Sequence, residues 1–138
     1  MGVFVYPVIE GEPASWTAFE SAGKPLAKVA TDLETVAKRH GVQPLYGFYS
    51  MSREQAIAEV LGGDPDDPSS YDETKVPTEA WFEAEAGLKT VLWCSQYVEE
   101  HRNRFGEPDA ILNDLREFER ILSLAKSLGL RWHLGQSC

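Results

Sequence analysis

Between Leu26 and His40 the side chains Leu26, Val29, Ala30, Leu33, Val36, Ala37 and His40 recur at steps of three and four. With 3.6 residues to the turn, that spacing gathers them on one side of an α-helix, and the remaining chain must supply a surface to bury the stripe. Pro25 suits the first helical turn. Lys38, Arg39 and His40 suit the negative end of the helix dipole, and Gly41 suits a left-handed cap. A second long helix is predicted from about Glu83, with Leu88, Val91, Leu92, Ser95 and Val98 inward. A third follows Pro108, roughly from Asp109 to Leu128, and ends at Lys126 and Gly129. Its apolar face is wide: Ile111, Leu112, Leu115, Phe118, Ile121, Leu122, Leu124, Ala125 and Leu128. Ser52 and Gln55 have the spacing of a capping box, opening a short helix with Ala56, Ile57, Val60 and Leu61 inward and Gly62-Gly63 at its close.

Strand signals are fewer. Gly2 to Ile9 is apolar on both faces, the pattern of a covered strand, and Pro7 removes one ladder donor, which suits a strand end or a sheet edge. Leu45 to Ser50 is short and aromatic, and Leu130 to Leu134 puts Leu130, Trp132 and Leu134 on one side; both read as strands. Glu10 to Gly23 is irregular, with a helical turn expected around Trp16–Phe19. The expected order is β-α-β-α-loop-α-α-β. Three strands cannot close a barrel, so the class is α+β: one small sheet covered by three long helices and one short one. A length of 138 residues predicts a single domain, 1–138, interrupted by a long acidic loop over 62–78.

The charge is uneven. Thirteen basic side chains face 22 acidic ones, a net of −9, and residues 51–100 alone hold twelve acids against three bases. The excess is densest from Asp64 to Glu85, where eight acids surround the single Lys75. Such a field repels phosphate backbones, which disfavours direct nucleic-acid binding, and it attracts and steers a basic protein. No apolar run approaches a membrane span and the first residues lack a signal-peptide pattern, so neither a membrane partner nor a lipid anchor is expected and a cytoplasmic location is. In that compartment Cys94, inside a helical pattern, reads as a small core residue unpaired with Cys138.

Motifs for chemistry are sparse. His40, His101 and His133 stand at no metal-ligand spacing, and no metal or cofactor is expected. Counted as an EF-hand from Asp64, the loop has Pro68 at position 5, Ser69 where glycine is needed and Lys75 where glutamate is needed. Gly62-Gly63 closes a helix where a phosphate cradle would have to open one. Ser50 and Ser52 stand at a helix start, where capping is the ordinary role. His133, on the last strand, is the one histidine expected near the sheet, where an alternative polar pocket would be lined by it with Tyr6, Tyr46 and Tyr49. Catalytic residues are not assigned.

Aromatic rings coincide with the acids. Tyr71 lies within the loop, and Trp81 and Phe82 follow it directly. Asp64, Asp66, Asp67, Tyr71, Asp72, Glu73, Trp81, Phe82, Glu83 and Glu85 therefore form the expected partner-binding set, rings for affinity in an acidic rim for on-rate. Trp81-Phe82-Glu83, then Gly87-Leu88-Lys89-Thr90-Val91, then Leu112, Leu115, Leu122 and Ala125, and the closing Leu130-Arg131-Trp132-His133-Leu134 carry a resemblance over the second half of the chain. They resemble small acidic bacterial proteins of uncharacterised function, some of which serve as immunity proteins that neutralise a toxin by covering it. The resemblance implies no catalytic residue. The leading expectation is a non-enzymatic, immunity- or inhibitor-like binding domain. The alternatives are a small-molecule binder or enzyme with a pocket near His133, and a homodimer whose seam buries Trp81, Phe82 and Trp93.

Overall fold

The structure, a computed structural model, describes residues 2–11 and 19–137. Met1, the expected turn around Trp16–Phe19 up to residue 18, and Cys138 lie outside the described residues. Two compact units emerge, Met1–Tyr49 with Trp81–Cys138, and Ser50–Ala80.

In the first unit the elements are β1 (Phe4–Ile9), α1 (Lys24–Arg39), β2 (Phe82–Glu83), α3 (Ala84–Glu100), α4 (Pro108–Ser127) and β3 (Arg131–Ser137). The second unit contains α2 (Arg53–Glu59). The class is α+β with a three-stranded antiparallel sheet and four helices, three long and one short. The sheet order is β1-β3-β2, so β3 is central and β1 is an edge strand, which leaves the missing donor of Pro7 harmless.

Register sorts the side chains. Ile9 lies opposite Trp132 and Pro7 opposite Leu134, so Val5, Pro7, Ile9, Trp132 and Leu134 share the inner face. All five are buried. Leu88, Val91, Cys94 and Val98 of α3 join Ile111, Leu115, Phe118, Ile121, Leu122 and Ala125 of α4 in the core with Trp132. Phe118 meets Trp132 edge-on at 6.3 Å between centroids, and Phe48 lies 5.1 Å from the same ring. Burial pushes the Cys94 thiol up to about 12, so it is protonated at neutral pH and behaves as an apolar side chain.

Four sequence expectations are corrected. Leu45–Phe48 is a 3₁₀ turn; only Tyr49 makes a bridge, parallel to Leu134. At three residues per turn Leu45 and Phe48 eclipse, and both are buried, which the alternation of a strand would not achieve. The strand role at that edge of β3 passes to Phe82–Glu83. Leu92 is 47% exposed because it lies a further 100° around α3 from Val91, past the buried stripe. Leu124 and Leu128 are 38% and 57% exposed at the end of α4, where the apolar face outruns its cover, and Val60 is 56% exposed at the cap of α2.

Two contacts hold the first unit in register. Gly23, the N-cap of α1, has φ +71° and no side chain to cap with. A Cβ there would fall 2.2 Å from the Val5 carbonyl oxygen, so only glycine fits. The cap comes from α4. The buried Asp114 carboxylate accepts from the backbone N–H of Gly23 at 3.1 Å and of Leu26 at 3.0 Å, and from the Ser21 hydroxyl. The second contact is Gly87 on α3: a Cβ there would fall 2.4 Å from Cζ2 of Trp132, so its absence is the notch that admits the indole. The indole N–H itself is buried without a hydrogen-bond partner among the described residues.

Asp114→Ala leaves two buried N–H groups unpaired and is expected to lower unfolding free energy by about 3 kcal/mol in urea titration, with Asp114→Asn losing about half as much because one acceptor oxygen survives. Equal stability of Asp114→Ala and the parent chain would contradict the cap. Gly87→Ala raises intrinsic helix propensity by about 1 kcal/mol. It is nonetheless expected to destabilise by about 2 kcal/mol through overpacking against Trp132, which the same titration measures.

Candidate functional site

Ser50–Ala80 concentrates the charge, with eight acids against Arg53 and Lys75. Its order comes from local hydrogen bonds. The Ser52 hydroxyl accepts from the Gln55 N–H at 3.1 Å, the first half of the capping box, while the Gln55 side chain turns to Glu59 at 3.2 Å. Ala56 and Ile57 are the buried residues of α2. Beyond Gly62, the carboxylates build the backbone. Asp64 Oδ1 accepts from the Asp66 N–H at 2.9 Å. Asp67 Oδ1 accepts from the Ser69 N–H and hydroxyl at 3.1 and 2.6 Å, capping the 3₁₀ turn Pro68–Ser70. Asp72 Oδ1 does the same for Thr74 at 3.0 and 2.7 Å, capping Glu73–Lys75. Arg53 pairs with Glu73 at 2.5 Å, donates to the Tyr71 hydroxyl at 3.1 Å, and carries its guanidinium 5.9 Å from the Tyr71 ring centroid.

As a sequence, these residues are a loop of solvated acids. They are solvated, since Asp64, Asp66, Asp67, Asp72 and Glu73 are all exposed, but they are also positioned. Each aspartate turn bond falls on Oδ1. Donation from the Ser69 hydroxyl, then from its N–H, holds Asp67 below the usual carboxylate range, and Thr74 acts likewise on Asp72. The Arg53 hydrogen bond lowers Glu73. All three are anions at neutral pH. Among the described residues, no three His, Cys, Asp or Glu side chains gather around a metal position.

The remaining members of the expected set belong to the first unit. Trp81 is half-buried and lies 4.8 Å from the His133 ring centroid. Phe82 is half-buried, packs on the core and meets Phe48 edge-on at 5.4 Å. Both rings thus have structural contacts as well as partial exposure. Glu83 and Glu85 are exposed, with Glu85 3.7 Å from the Lys126 ammonium.

His133 is 2% exposed, and its Nδ1 lies 3.0 Å from the Leu134 carbonyl oxygen. A carbonyl only accepts, so that nitrogen carries the proton. Tyr6 shares the outer face of the sheet with His133 and lies against Gly135, where a Cβ would meet its ring at 2.5 Å. Tyr46 lies in the 3₁₀ turn, its phenol pushed up by burial first and by Glu34 and Tyr49 second. None of these four residues lines the two clefts that flank Trp93.

One of those clefts gathers residues that are scattered along the sequence. Trp93, Tyr97 and His101, spaced by four along α3, stack in sequence, and Arg39, His40 and Arg104 border them. The spacing Trp-x-x-x-Tyr-x-x-x-His was the signal for the stack; the arrival of α1 beside it was not legible. No family model, curated protein or solved structure matches this chain.

Depressed pKa values stabilise above the ordinary carboxylate range and lose that contribution as pH falls through the folded-state value. Carboxyl NMR titration is expected to give midpoints for Asp67 and Asp72 below the ordinary 3.8, with faster amide exchange at Ser69 and Thr74 once they protonate. Midpoints at or above 3.8 would show that the turn bonds do not persist in solution.

Proposed function

We propose that this chain is a non-enzymatic binding protein of the inhibitor or immunity kind, which uses the carboxylates of Ser50–Ala80 to dock a basic protein partner. The observation that carries the reading is that five exposed acids there, Asp64, Asp66, Asp67, Asp72 and Glu73, sit in a segment with only two bases, four of them held by hydrogen bonds. Pre-positioned anions lose little conformational freedom on meeting a cation, and a one-signed surface raises the encounter rate. Arg53 is engaged by Glu73, which leaves Lys75 as the segment's base without an ion pair among the described residues. In an inhibitor, such an array would occupy the cationic surface with which a nuclease holds phosphates.

The hydrogen-bonding pattern dictates the test. Asparagine keeps Oδ1 as an acceptor and removes the charge, so the triple variant Asp66→Asn, Asp67→Asn, Asp72→Asn retains the turns. Proteins retained by the immobilised parent chain and lost by this variant are identified, and one is purified for kinetics. Its association rate is expected to fall about ten-fold for the variant, and comparably for the parent between about 0.05 and 0.5 M salt. Association insensitive to both changes would refute the reading.

A further inference from the structure

The cleft formed where α1 and α3 end encloses about 580 Å³, within the range of small-molecule sites. Its floor is a shelf of rings. Trp93 and Tyr97 stack at 5.3 Å and 18°, Tyr97 and His101 at 4.2 Å and 25°, and His40 leans on Trp93 at 5.8 Å. All three shelf rings are half-buried, and because Tyr97 is stacked between Trp93 and His101, it is the ring edges that are left to the cleft. Arg104 is held at the rim by donating to the Tyr97 hydroxyl at 2.9 Å, and Arg39 stands exposed at the end of α1.

The charge of this cleft runs against that of the chain. Arg53, Arg102, Arg120 and Arg131 each pair with a carboxylate. No carboxylate lies within ion-pair distance of Arg39 or Arg104 among the described residues. Among those residues Arg104 is committed only to the Tyr97 hydroxyl and Arg39 to no carboxylate, so both keep N–H donors for an anion. Glu100 also lines the cleft and accepts from the neutral Gln96 amide at 3.0 Å, so its negative charge offsets one of the two guanidiniums and the lining stays cationic by one. Helix ends ordinarily repel anions. Here part of that field is met: the Val36, Ala37 and Lys38 carbonyls accept from the His40 and Gly41 N–H groups on α1, and Tyr97 and Val98 accept from His101 on α3.

We propose that this cleft binds a small planar aromatic molecule bearing an anionic group, its face packed on the exposed edges of Trp93 and Tyr97 and its phosphate or carboxylate met by Arg39 and Arg104. Edge-to-face contact supplies a preference for a ring with tolerance for ring identity, and the guanidiniums supply the charge requirement. The site is independent of the carboxylates of Ser50–Ala80.

Calorimetric titration at low salt tests this with adenosine monophosphate and with indole acetate, which separate a phosphate source from a carboxylate source. Adenosine and ribose phosphate are the controls lacking charge or ring. At least one of the two aromatic anions is expected to bind. Its affinity is expected to fall about ten-fold in Arg39→Gln and again in Arg104→Gln, each losing a charge-assisted hydrogen bond. Removing the ring or the charge from the ligand is expected to weaken binding at least as much. Both arginines are on the surface, so circular dichroism should report an unchanged fold. Absence of binding by both aromatic anions overturns the proposal. So does a control that binds as tightly as its charged, ringed counterpart, or affinity unchanged in both variants.

Discussion

The first unit depends on a carboxylate placed where the helix pattern calls for an apolar residue. Asp114 lies three residues after Ile111 and four before Phe118, on the buried face of α4, and its oxygens reach the start of α1 across 88 to 93 residues of sequence. Helix α1 opens with Gly23-Lys24-Pro25, which has no capping side chain of its own, so its orphan N–H groups must be met from elsewhere. Asn113 donates to Ser21, Glu117 accepts from the Glu20 N–H, and Val5 donates to the Gly23 carbonyl. One short segment thereby fixes β1, α1 and α4 together. A buried carboxylate is tolerable there because three donors, from Ser21, Gly23 and Leu26, are aimed at it.

The same economy of contact appears at Trp132. The central strand carries the largest buried side chain, and α3 accommodates it by omitting one at Gly87. A glycine inside a helix weakens it intrinsically, so its presence is compensated by the packing of a full indole between two helices and the sheet. Phe48, delivered by a 3₁₀ turn, and Phe82, delivered by the shortest strand, complete the ring cluster around it.

Charge is partitioned by unit. Ser50–Ala80 holds eight of the 22 acids in 31 residues with little apolar content, and it substitutes turn hydrogen bonds for a core. The rest of the chain carries fourteen acids against eleven bases, near enough to balance for a local cationic cleft to form at the ends of α1 and α3. Electrostatic character here is therefore a property of segments, and the net charge of −9 describes neither one.

Much of the architecture was present in the order of the residues. Apolar steps of three and four, with the capping box of Ser52 and Gln55, located all four helices and the starts of each to within a residue or two, because burying one side of a cylinder is a local demand on spacing. The apolar run marked β1 as a strand and Pro7 left it a strand end or a sheet edge, of which the fold realises the edge, and the acid density of Asp64–Glu85 was a matter of counting. What could not be read locally is whatever depends on a distant neighbour. Leu45–Phe48 turned instead of extending because the core needed two residues three apart. Leu92 faced solvent because no element came to cover it. Asp114 found its donors, Gly87 its indole, and the rings of α3 their arginine from α1 only once the chain had folded. Periodicity says which side of an element must be covered; what covers it, and with which polar group aimed where, is settled by long-range packing alone.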